Sequence, residues 1–380
     1  MNLLGFKRYR WDRVGFAVLL QDGQTIRDTY EVERFLGEGA FAEVYRVRHR
    51  FLGRQAMKVL KTAGLTIGEV EEMLSEAVLL SRIGHPNIVR VFNADVLETG
   101  AGTFGFFTME YVPGGSLDQY WRSYRSKFMP VEEVVEIAKQ VCAGICVAHS
   151  ENPPLIHRDI KPQNILVGYD GAGMRVRVSD FGLAKRANPL TLLVSSRGTL
   201  GFKPPESLDN IDSCWADVWA MGTTMYLLLT DVLPFPLLQD RDITDATRFL
   251  GPLRSATTYN IHVDAALDAI LARCLAKKPS ERYSNAMELL TDLSRWRPGQ
   301  SVGHQPRTIT TDTSKDALGS HSLADKAAAT TSVREAQRLS REPGKLMVAA
   351  DILEEALNKD PDLRDRYESQ LVLWRRGVVM

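Results

Sequence analysis

The chain has 380 residues, 44% of them hydrophobic, so it can bury a large core and hold more than one folding unit. Lys plus Arg and Asp plus Glu both total 47, and this balance gives no overall field that would favour nucleic acid or an anionic membrane. Short basic runs such as 7–10 and 46–50 indicate a solvated surface. Four cysteines are few for this length, and the helical spacing of Cys142 and Cys146 favours packed thiols in a reducing compartment.

Residues 1–28 are predicted to be an N-terminal extension, without the apolar segment and cleavage site of a secretory signal. The sequence contains no run of about 18 or more apolar residues, so we expect no transmembrane helix. These features favour a cytoplasmic protein whose partners include neither nucleic acid nor a membrane.

A glycine-rich segment lies between two β-like runs, and its sequence is Leu36-Gly37-Glu38-Gly39-Ala40-Phe41-Ala42-Glu43-Val44. Glycines at a hairpin tip let the backbone approach phosphates closely and offer amide groups to them. The segment alone is weak evidence for a nucleotide site. The run Ala56-Met57-Lys58 follows this segment.

Two further elements follow before the centre of the chain. Residues 67–80 have apolar side chains at helical spacing, and most of their acids are expected on a solvated face. Residues 106–112 have the pattern of a buried strand that ends in a linker, and 113–117 turn into a helix.

The most informative stretch is His157-Arg158-Asp159-Ile160-Lys161-Pro162-Gln163-Asn164, with Asp180-Phe181-Gly182 shortly after it. Asp159 is a carboxylate that can orient a hydroxyl group, and Lys161 is a cation that can reach a phosphoryl group. Asn164 and Asp180 supply hard oxygen ligands, which suit Mg²⁺. Together they are the set of groups that phosphoryl transfer needs.

This string is close to the protein-kinase signature H-R-D-x-x-x-x-N with D-F-G after it. The chain therefore resembles the eukaryotic-type (Hanks-type) serine/threonine protein kinase family over most of its length. The resemblance implies an α+β fold, the bilobal protein kinase fold, with a small β-rich N-lobe and a large helical C-lobe. It also implies ATP and Mg²⁺ as cofactors and protein substrates with Ser or Thr acceptors.

By this resemblance Lys58 bridges the α- and β-phosphates of ATP and pairs with a glutamate of the following helix. Glu76, nine residues before His85, fits that position, and Glu72 is the second choice. The third glycine of the family pattern G-x-G-x-x-G-x-V is Ala42 here, a small replacement.

The resemblance also implies an adenine site at the hinge. The Glu110 carbonyl and the Val112 amide would hold adenine, with Ala56 and Leu166 on the two faces of the ring and Met109 behind it. The residues implied in nucleotide binding are Leu36, Gly37, Gly39, Ala40, Phe41, Val44, Ala56, Lys58, Glu76, Glu110, Val112 and Leu166.

For catalysis, the resemblance assigns Asp159 and Lys161 to the chemistry and Asn164 and Asp180 to the metal. Lysine at position 161 marks serine/threonine specificity in the family. His157 is predicted to be a packed structural histidine rather than a base. Arg158 suggests an activation segment that a phosphate can hold, since a guanidinium binds phosphate oxygens in pairs.

The predicted activation segment runs from Asp180 to Glu206 and ends in Pro204-Pro205-Glu206, where the family usually has Ala-Pro-Glu. Its hydroxyls are candidates for phosphorylation, and an ordinary polar loop is the alternative. Thr199 is expected to contact Asp159 and Lys161. The candidates for phosphorylation are Thr191, Ser195 and Ser196.

Two scaffold features are also implied. Glu206 is expected to pair with a buried arginine, Arg282. Asp217 begins a D-x-W-x-x-G pattern, and its carboxylate is expected to brace the backbone of the catalytic loop.

After Arg297 the composition changes, and residues 298–328 are predicted to be a flexible linker because they are rich in Ser, Thr, Gly and Asp. Residues 329–380 are predicted to form a short all-α tail that resembles part of a tetratricopeptide-type repeat. A single repeat cannot bury its own apolar face. The tail is therefore expected to dock on the kinase domain, pair with another copy or bind a partner, with Trp374 as an anchor. A small helical cap without a separate role is the alternative.

The sequence thus predicts a kinase domain over 29–297 that transfers the γ-phosphoryl group of ATP to Ser or Thr hydroxyls of proteins, and autophosphorylates its activation segment. Two rival interpretations stay open. A small-molecule kinase would share the catalytic acids but would lack the peptide-docking segment that ends at Glu206. A silent kinase-like scaffold would usually have lost Lys58, Asp159 or Asp180.

Overall fold

The computed structural model describes residues 18–39, 42–61, 68, 83–99, 102–124, 128–181, 200–209, 213–235, 246–299, 323–342 and 344–378. The described chain divides into two compact units. The small unit comprises the described parts of 1–84 and 90–111, and the large unit those of 85–89, 112–182 and 190–380. None of the described helices is long and apolar enough to cross a membrane.

The small unit is a six-stranded antiparallel sheet with the strand order β1-β2-β3-β4-β6-β5. Side chains alternate between the two faces of a strand, so Tyr45, Met57 and Phe106 lie on one face and are fully buried in the core of this unit. Val44, Ala56 and Lys58 belong to the opposite face. The strands are β1 Thr25–Ile26, β2 Tyr30–Glu38, β3 Ala42–His49, β4 Gly53–Leu60, β5 Val91–Thr99 and β6 Gly102–Glu110.

The large unit is mainly helical, with one antiparallel hairpin of strands β7 and β8. Helix α3 is buried nearly all round, which explains why its sequence is apolar without a polar face. The Ser213 side chain caps the first turn of α3. The elements are α1 Leu117–Arg122, α2 Val131–His149, β7 Ile165–Asp170, β8 Gly173–Val178, α3 Cys214–Thr230, α4 Ala265–Cys274 and α5 Ala286–Arg295.

Short 3-10 turns connect these elements, and one of them shapes the catalytic loop. Helix α1 begins where the sequence predicts a turn into a helix, because Ser116 and Gln119 form a reciprocal capping box. The 3-10 turns are Pro162–Asn164, Pro205–Asp209, Ala246–Phe249, Ala256–Thr258, Pro279–Glu281 and Pro361–Leu363.

The tail contains three helices, α6 Leu323–Leu339, α7 Leu346–Lys359 and α8 Arg364–Arg375. Ala329 and Ala336 of α6 and Ala349, Ala350 and Ala356 of α7 are fully buried, so the two helices pack closely. Helix α6 begins inside the stretch predicted as linker, because its alanine-rich sequence favours a helix over a coil. The predicted domain boundaries stay a prediction, and residues 300–322 lie outside the described residues.

The tail packs on the large unit, which is the first of the three alternatives that the sequence left open. The guanidinium of Arg364 lies 4.2 Å from the centre of the Tyr120 ring and donates to the Ser123 hydroxyl. Arg376 donates to the Gly171 carbonyl at the turn between β7 and β8. Trp374, the predicted anchor, is 1% exposed. Much of the apolar surface of the tail is therefore buried within this chain, whereas Met347 and Val348 of α7 are exposed.

A buried ion pair joins the tail helices next to this contact. Arg375 of α8 donates to Glu354 Oε2 at 2.6 Å and lies 2.8 Å from Asp351 Oδ1, and both acids belong to α7. Glu354 is 1% exposed, and no described group donates a hydrogen bond to its Oε1. Burial raises the pKa of the Glu354 carboxyl to about 7, although the positive charges of Arg375 and Arg177 lower it.

This shift predicts a pH dependence of stability. The folded protein holds a proton on Glu354 up to a pH of about 7, whereas the unfolded chain releases it near 4.5. Stability therefore rises as the pH falls through this window. Between pH 7.5 and 5.5 we expect Glu354 to add about 1–2 kcal/mol to the free energy of unfolding.

Urea unfolding of the wild type and of Glu354→Gln at several pH values measures this contribution, because other titrating groups cancel in the difference. The groups that face Glu354 are Arg375, Asp351, Arg177 and Tyr169, and all remain in the variant. A difference that is independent of pH would contradict the shifted pKa.

Candidate active site

The catalytic loop brings three predicted side chains of the large unit together. Lys161 Nζ lies 2.8 Å from Asp159 Oδ2. The Asn164 amide nitrogen donates to the Asp159 carbonyl at 2.8 Å and to Asp159 Oδ2 at 2.9 Å. Asp159 Oδ1 accepts no hydrogen bond from the residues that the structure describes. One oxygen of Asp159 is thus held by the loop, and its orientation is fixed.

The His157 side chain packs against the catalytic loop and holds it by hydrogen bonds. Its ring is fully buried and lies 4.5 Å from the Phe181 ring, measured between ring centres. Nδ1 accepts from the Asp159 amide at 3.2 Å, so Nε2 carries the proton and donates to the Ser179 carbonyl at 2.9 Å. Burial lowers the pKa of His157, which keeps the ring neutral. Both nitrogens are occupied, as expected of a structural histidine.

The carboxylate of Asp217, on α3, accepts hydrogen bonds from the backbone amides of His157 and the residue after it. Oδ2 accepts from the His157 amide at 2.7 Å, and Oδ1 accepts from the Arg158 amide at 2.8 Å. Oδ2 also lies 3.0 Å from His149 Nε2 at the end of α2. Burial would raise the pKa of Asp217, but these hydrogen bonds and the nearby imidazoles outweigh it, and the pKa is lowered.

The backbone between these contacts adopts uncommon conformations. Arg158 has φ = 70° and Asp180 has φ = 60°, in the left-handed region that residues other than glycine rarely enter. Such conformations cost of order 1–3 kcal/mol each and persist where the surroundings hold them. The Asp217 carboxylate accepts from the Arg158 amide and the Lys203 side chain donates to the Arg158 carbonyl, so both hold this backbone.

The two predicted metal ligands are connected through Ser179. The Ser179 amide and hydroxyl donate to the Asn164 carbonyl at 2.8 and 3.0 Å, and Asp180 is the next residue. The Asn164 side chain uses its nitrogen for Asp159, so its amide oxygen is left for a cation. One amide oxygen and one carboxylate are a hard donor set that fits Mg²⁺, which takes its remaining ligands from phosphates and water.

In the small unit, the strand register brings the predicted nucleotide residues to one face of the sheet. Val44 pairs with Lys58, and Ala56 pairs with Met109. The glycine-rich hairpin closes with the Gly39 amide donating to the Ala42 carbonyl at 2.8 Å, and a side chain at Gly37 would meet open space. The described part of this hairpin therefore leaves space beside the backbone at Gly37.

The predicted adenine residues are divided between the two units. Glu110 ends β6 in the small unit, whereas Val112 and Leu166 belong to the large unit. Val112 is buried and Leu166 half-buried. Their roles stay predictions. Several predicted residues lie outside the described residues: Ala40, Phe41, Glu72, Glu76, Thr191, Ser195, Ser196 and Thr199.

The comparison with protein families agrees with this geometry. The model of the protein kinase domain matches residues 30–293. The chain belongs to the protein kinase domain family. Both the predicted family and the predicted bilobal kinase fold are confirmed.

Among its relatives, a probable serine/threonine-protein kinase of Clostridium acetobutylicum is 30% identical over 282 residues, or 72% of this chain and 40% of that protein. The serine/threonine-protein kinase PknB of Mycobacterium leprae is 31% identical over 295 residues, or 75% of this chain and 45% of that protein. The chain thus spans less than half the length of these relatives. The solved PknI kinase domain of Mycobacterium tuberculosis is 26% identical, with a TM-score of 0.54, and the match covers 73% of this chain and 99% of that domain.

The expected scaffold pair of the kinase fold is present. Arg282 donates to both carboxylate oxygens of Glu206, at 2.6 and 2.9 Å, and its side chain is fully buried. The same guanidinium also donates to the carbonyls of Ala276, Lys277 and Trp215. Every donor of this buried cation therefore faces an acceptor, as a buried charge requires.

Two positioning residues were missed by the sequence reasoning. The side-chain amide of Asn87 donates to the Val176 carbonyl at 2.8 Å, so it fixes β8 just before Ser179 and Asp180. Arg248 donates to the carbonyls of Leu200 and Lys203, near the end of the predicted activation segment. The turn sequence around Asn87 gave a weak signal, and Arg248 gave none, because its partners are distant backbone carbonyls.

We expect Asp217→Asn to lower the free energy of unfolding by about 1–3 kcal/mol, because an amide leaves one buried N–H of the loop without an acceptor. It should also lower the rate of phosphoryl transfer about tenfold or more, since Asp159 shifts with the loop. Urea unfolding and steady-state kinetics measure the two effects.

Asp268→Asn is the matched control. Asp268 is a half-buried carboxylate that accepts from the Ala256 amide at 2.7 Å, away from the catalytic loop. The Asp268→Asn variant should have a lower free energy of unfolding, but its rate of phosphoryl transfer should be unchanged. Equal rates in the two variants would show that Asp217 does not position the loop.

Proposed function

We propose that this chain is a serine/threonine protein kinase that transfers the γ-phosphoryl group of ATP to Ser or Thr hydroxyls of proteins. The observation that carries the proposal is the arrangement of Asp159, Lys161 and Asn164 on one anchored loop. The serine/threonine kinases among its relatives support the same activity. Because the chain spans less than half of those relatives, its substrates are proposed from its own site.

In this proposal Asp159 accepts a hydrogen bond from the acceptor hydroxyl and directs its oxygen at the γ-phosphorus. Lys161, 2.8 Å from Asp159, places a positive charge beside the migrating phosphoryl group, where negative charge is spread over the equatorial oxygens. The neutral, fully occupied ring of His157 leaves Asp159 as the acceptor of the hydroxyl proton in this loop.

Asn164 and Asp180 would hold Mg²⁺, which neutralises charge on the β- and γ-phosphates when bound. Their positions are coupled through Ser179, so neither ligand moves independently of the other. Lys58 and the hairpin at Gly37 and Gly39 would hold the phosphates from the small unit. Glu110 and Val112 would hold adenine through backbone groups.

We further propose autophosphorylation within 191–199, with Arg158 as a receiver of the new phosphate. The peptide-docking segment that ends at Glu206 is fixed by Arg282, and this favours a protein substrate over a small molecule. The retained Lys58, Asp159 and Asp180 favour an active enzyme over a silent scaffold.

The test is incubation of the purified full chain with Mg²⁺ and γ-labelled ATP, followed by mapping of the phosphosites. Asp159→Asn should lower the labelling rate by about 100-fold or more, because the hydroxyl loses its acceptor. Asp268→Asn should label at the wild-type rate. Removal of Mg²⁺ with a chelator should abolish labelling in every variant.

Label on Ser or Thr of 191–199 in the wild type, and its loss in Asp159→Asn, would support the proposal. Equal labelling of wild type and Asp159→Asn would refute the assigned role of Asp159. ATP binding without phosphoryl transfer to the chain or to a panel of Ser/Thr peptides would favour the scaffold interpretation.

A further inference from the structure

Helix α7 of the tail lies directly on the backbone that follows Val112. A Cβ atom added at Gly114 would lie 3.0 Å from Glu354 Oε1, and one added at Gly115 would lie 2.7 Å from Asn358 Nδ2. Glu354 and Asn358 are four residues apart, so they share one face of α7. The Val167 carbonyl oxygen and Gln119 Oε1 would lie closer still to these two Cβ atoms, so the packing of the turn itself requires small residues at 114 and 115, and these residues also leave room for α7. Gly115 also has φ = 78°, which favours glycine.

The turn at Gly114 and Gly115 is connected to Val112 and Leu166, the two predicted adenine contacts of the large unit. The Gly115 carbonyl accepts from the Val167 amide at 2.8 Å, and Ser116 bridges to Leu166. A Cβ atom at Gly168 would lie 3.0 Å from Val112 Cγ1. A displacement of this turn would therefore move Val112 and Leu166 relative to each other.

Helix α8 connects α7 to the rest of the large unit. Arg364 at its start contacts Tyr120 and Ser123 of the α1 region, and Arg376 after its end donates to Gly171. Between them, Arg375 holds Asp351 and Glu354 of α7. Because Glu354 and Arg375 are both largely buried, α7 and α8 separate only at the cost of exposing or unpairing these charges.

We propose that the tail helices α7 and α8 are a positioning element of the nucleotide site: they hold the turn at Gly114 and Gly115 and thereby set the backbone of Val112 for adenine. This inference rests on the proposed function, since it takes Val112 as an adenine contact. Glu354, Asn358, Arg364 and Arg376 are positioning residues, because they act through the turn and do not touch the nucleotide.

The test uses the full chain with Ser369→Pro and its matched control Ser369→Ala. Ser369 is an exposed residue in the middle of α8, so alanine there removes no contact of the core. Proline breaks the helix, because it removes a backbone donor and clashes with the preceding turn. We expect the Kd and KM for Mg²⁺-ATP to rise about fivefold or more in Ser369→Pro. The KM for a peptide substrate and kcat at saturating ATP should stay unchanged.

A second variant releases α8 without a backbone change. Arg364→Ala combined with Arg376→Ala removes the two contacts of α8 with the rest of the large unit. It leaves the buried pairing of Arg375 with α7 intact. It should weaken ATP binding in the same direction. Arg338→Ala is its control, because Arg338 pairs only with Glu335 and Glu342 of the tail among the described residues.

Unchanged ATP affinity in both Ser369→Pro and the double variant would overturn the inference. A fall in kcat without a change in the Kd for ATP would overturn it too, since that pattern indicates a general structural role. If the wild-type chain binds no ATP, the proposed function itself fails. Hydrogen exchange at residues 112–116, faster in Ser369→Pro than in Ser369→Ala, then still tests whether the tail holds the turn.

Discussion

The catalytic loop depends on one buried charge, the carboxylate of Asp217. It lies among two backbone amides and the His149 ring, and these groups replace the water that it lost on folding. In return, the carboxylate fixes the peptide groups on both sides of His157 and holds Arg158 in its left-handed conformation. Asp159 follows immediately, so its direction is set by an acid on another element, Asp217 of α3. Because this support comes from outside the loop, the loop is held in place without being a regular helix or strand.

Much of the fold could be predicted because the decisive signals are local. The strand alternation, the glycine-rich hairpin and the capped start of α1 each depend on residues that are close in sequence. The catalytic string is equally local, since Asp159, Lys161 and Asn164 come within six positions of one another. The pairing of Glu206 with Arg282 is distant, and only the resemblance to a known family predicted it.

The rest could not be predicted for physical reasons. Glu354 lies in an amphipathic helix, where an acid is ordinarily expected on the solvated face, and nothing near it in sequence marks its burial. Its partners Arg375 and Arg177 lie on other elements. The same holds for Arg248, whose acceptors are backbone carbonyls and so leave no trace in side-chain identity. Helix α6 begins within the stretch predicted as linker, because its alanines favour a helix although its serines and threonines resemble linker composition.

The contact between Arg364 and Ser123 joins residues that are 241 positions apart. A ribosome adds about 5–20 residues per second, so Arg364 is synthesised roughly 10–50 s after Tyr120 and Ser123, the residues that it contacts. Throughout that interval the aromatic ring of Tyr120 and the glycine turn beside it remain open to chaperones and to neighbouring nascent chains. The large unit is therefore completed only after the tail has been synthesised. The order of translation, rather than the rate of folding, sets the time of this step.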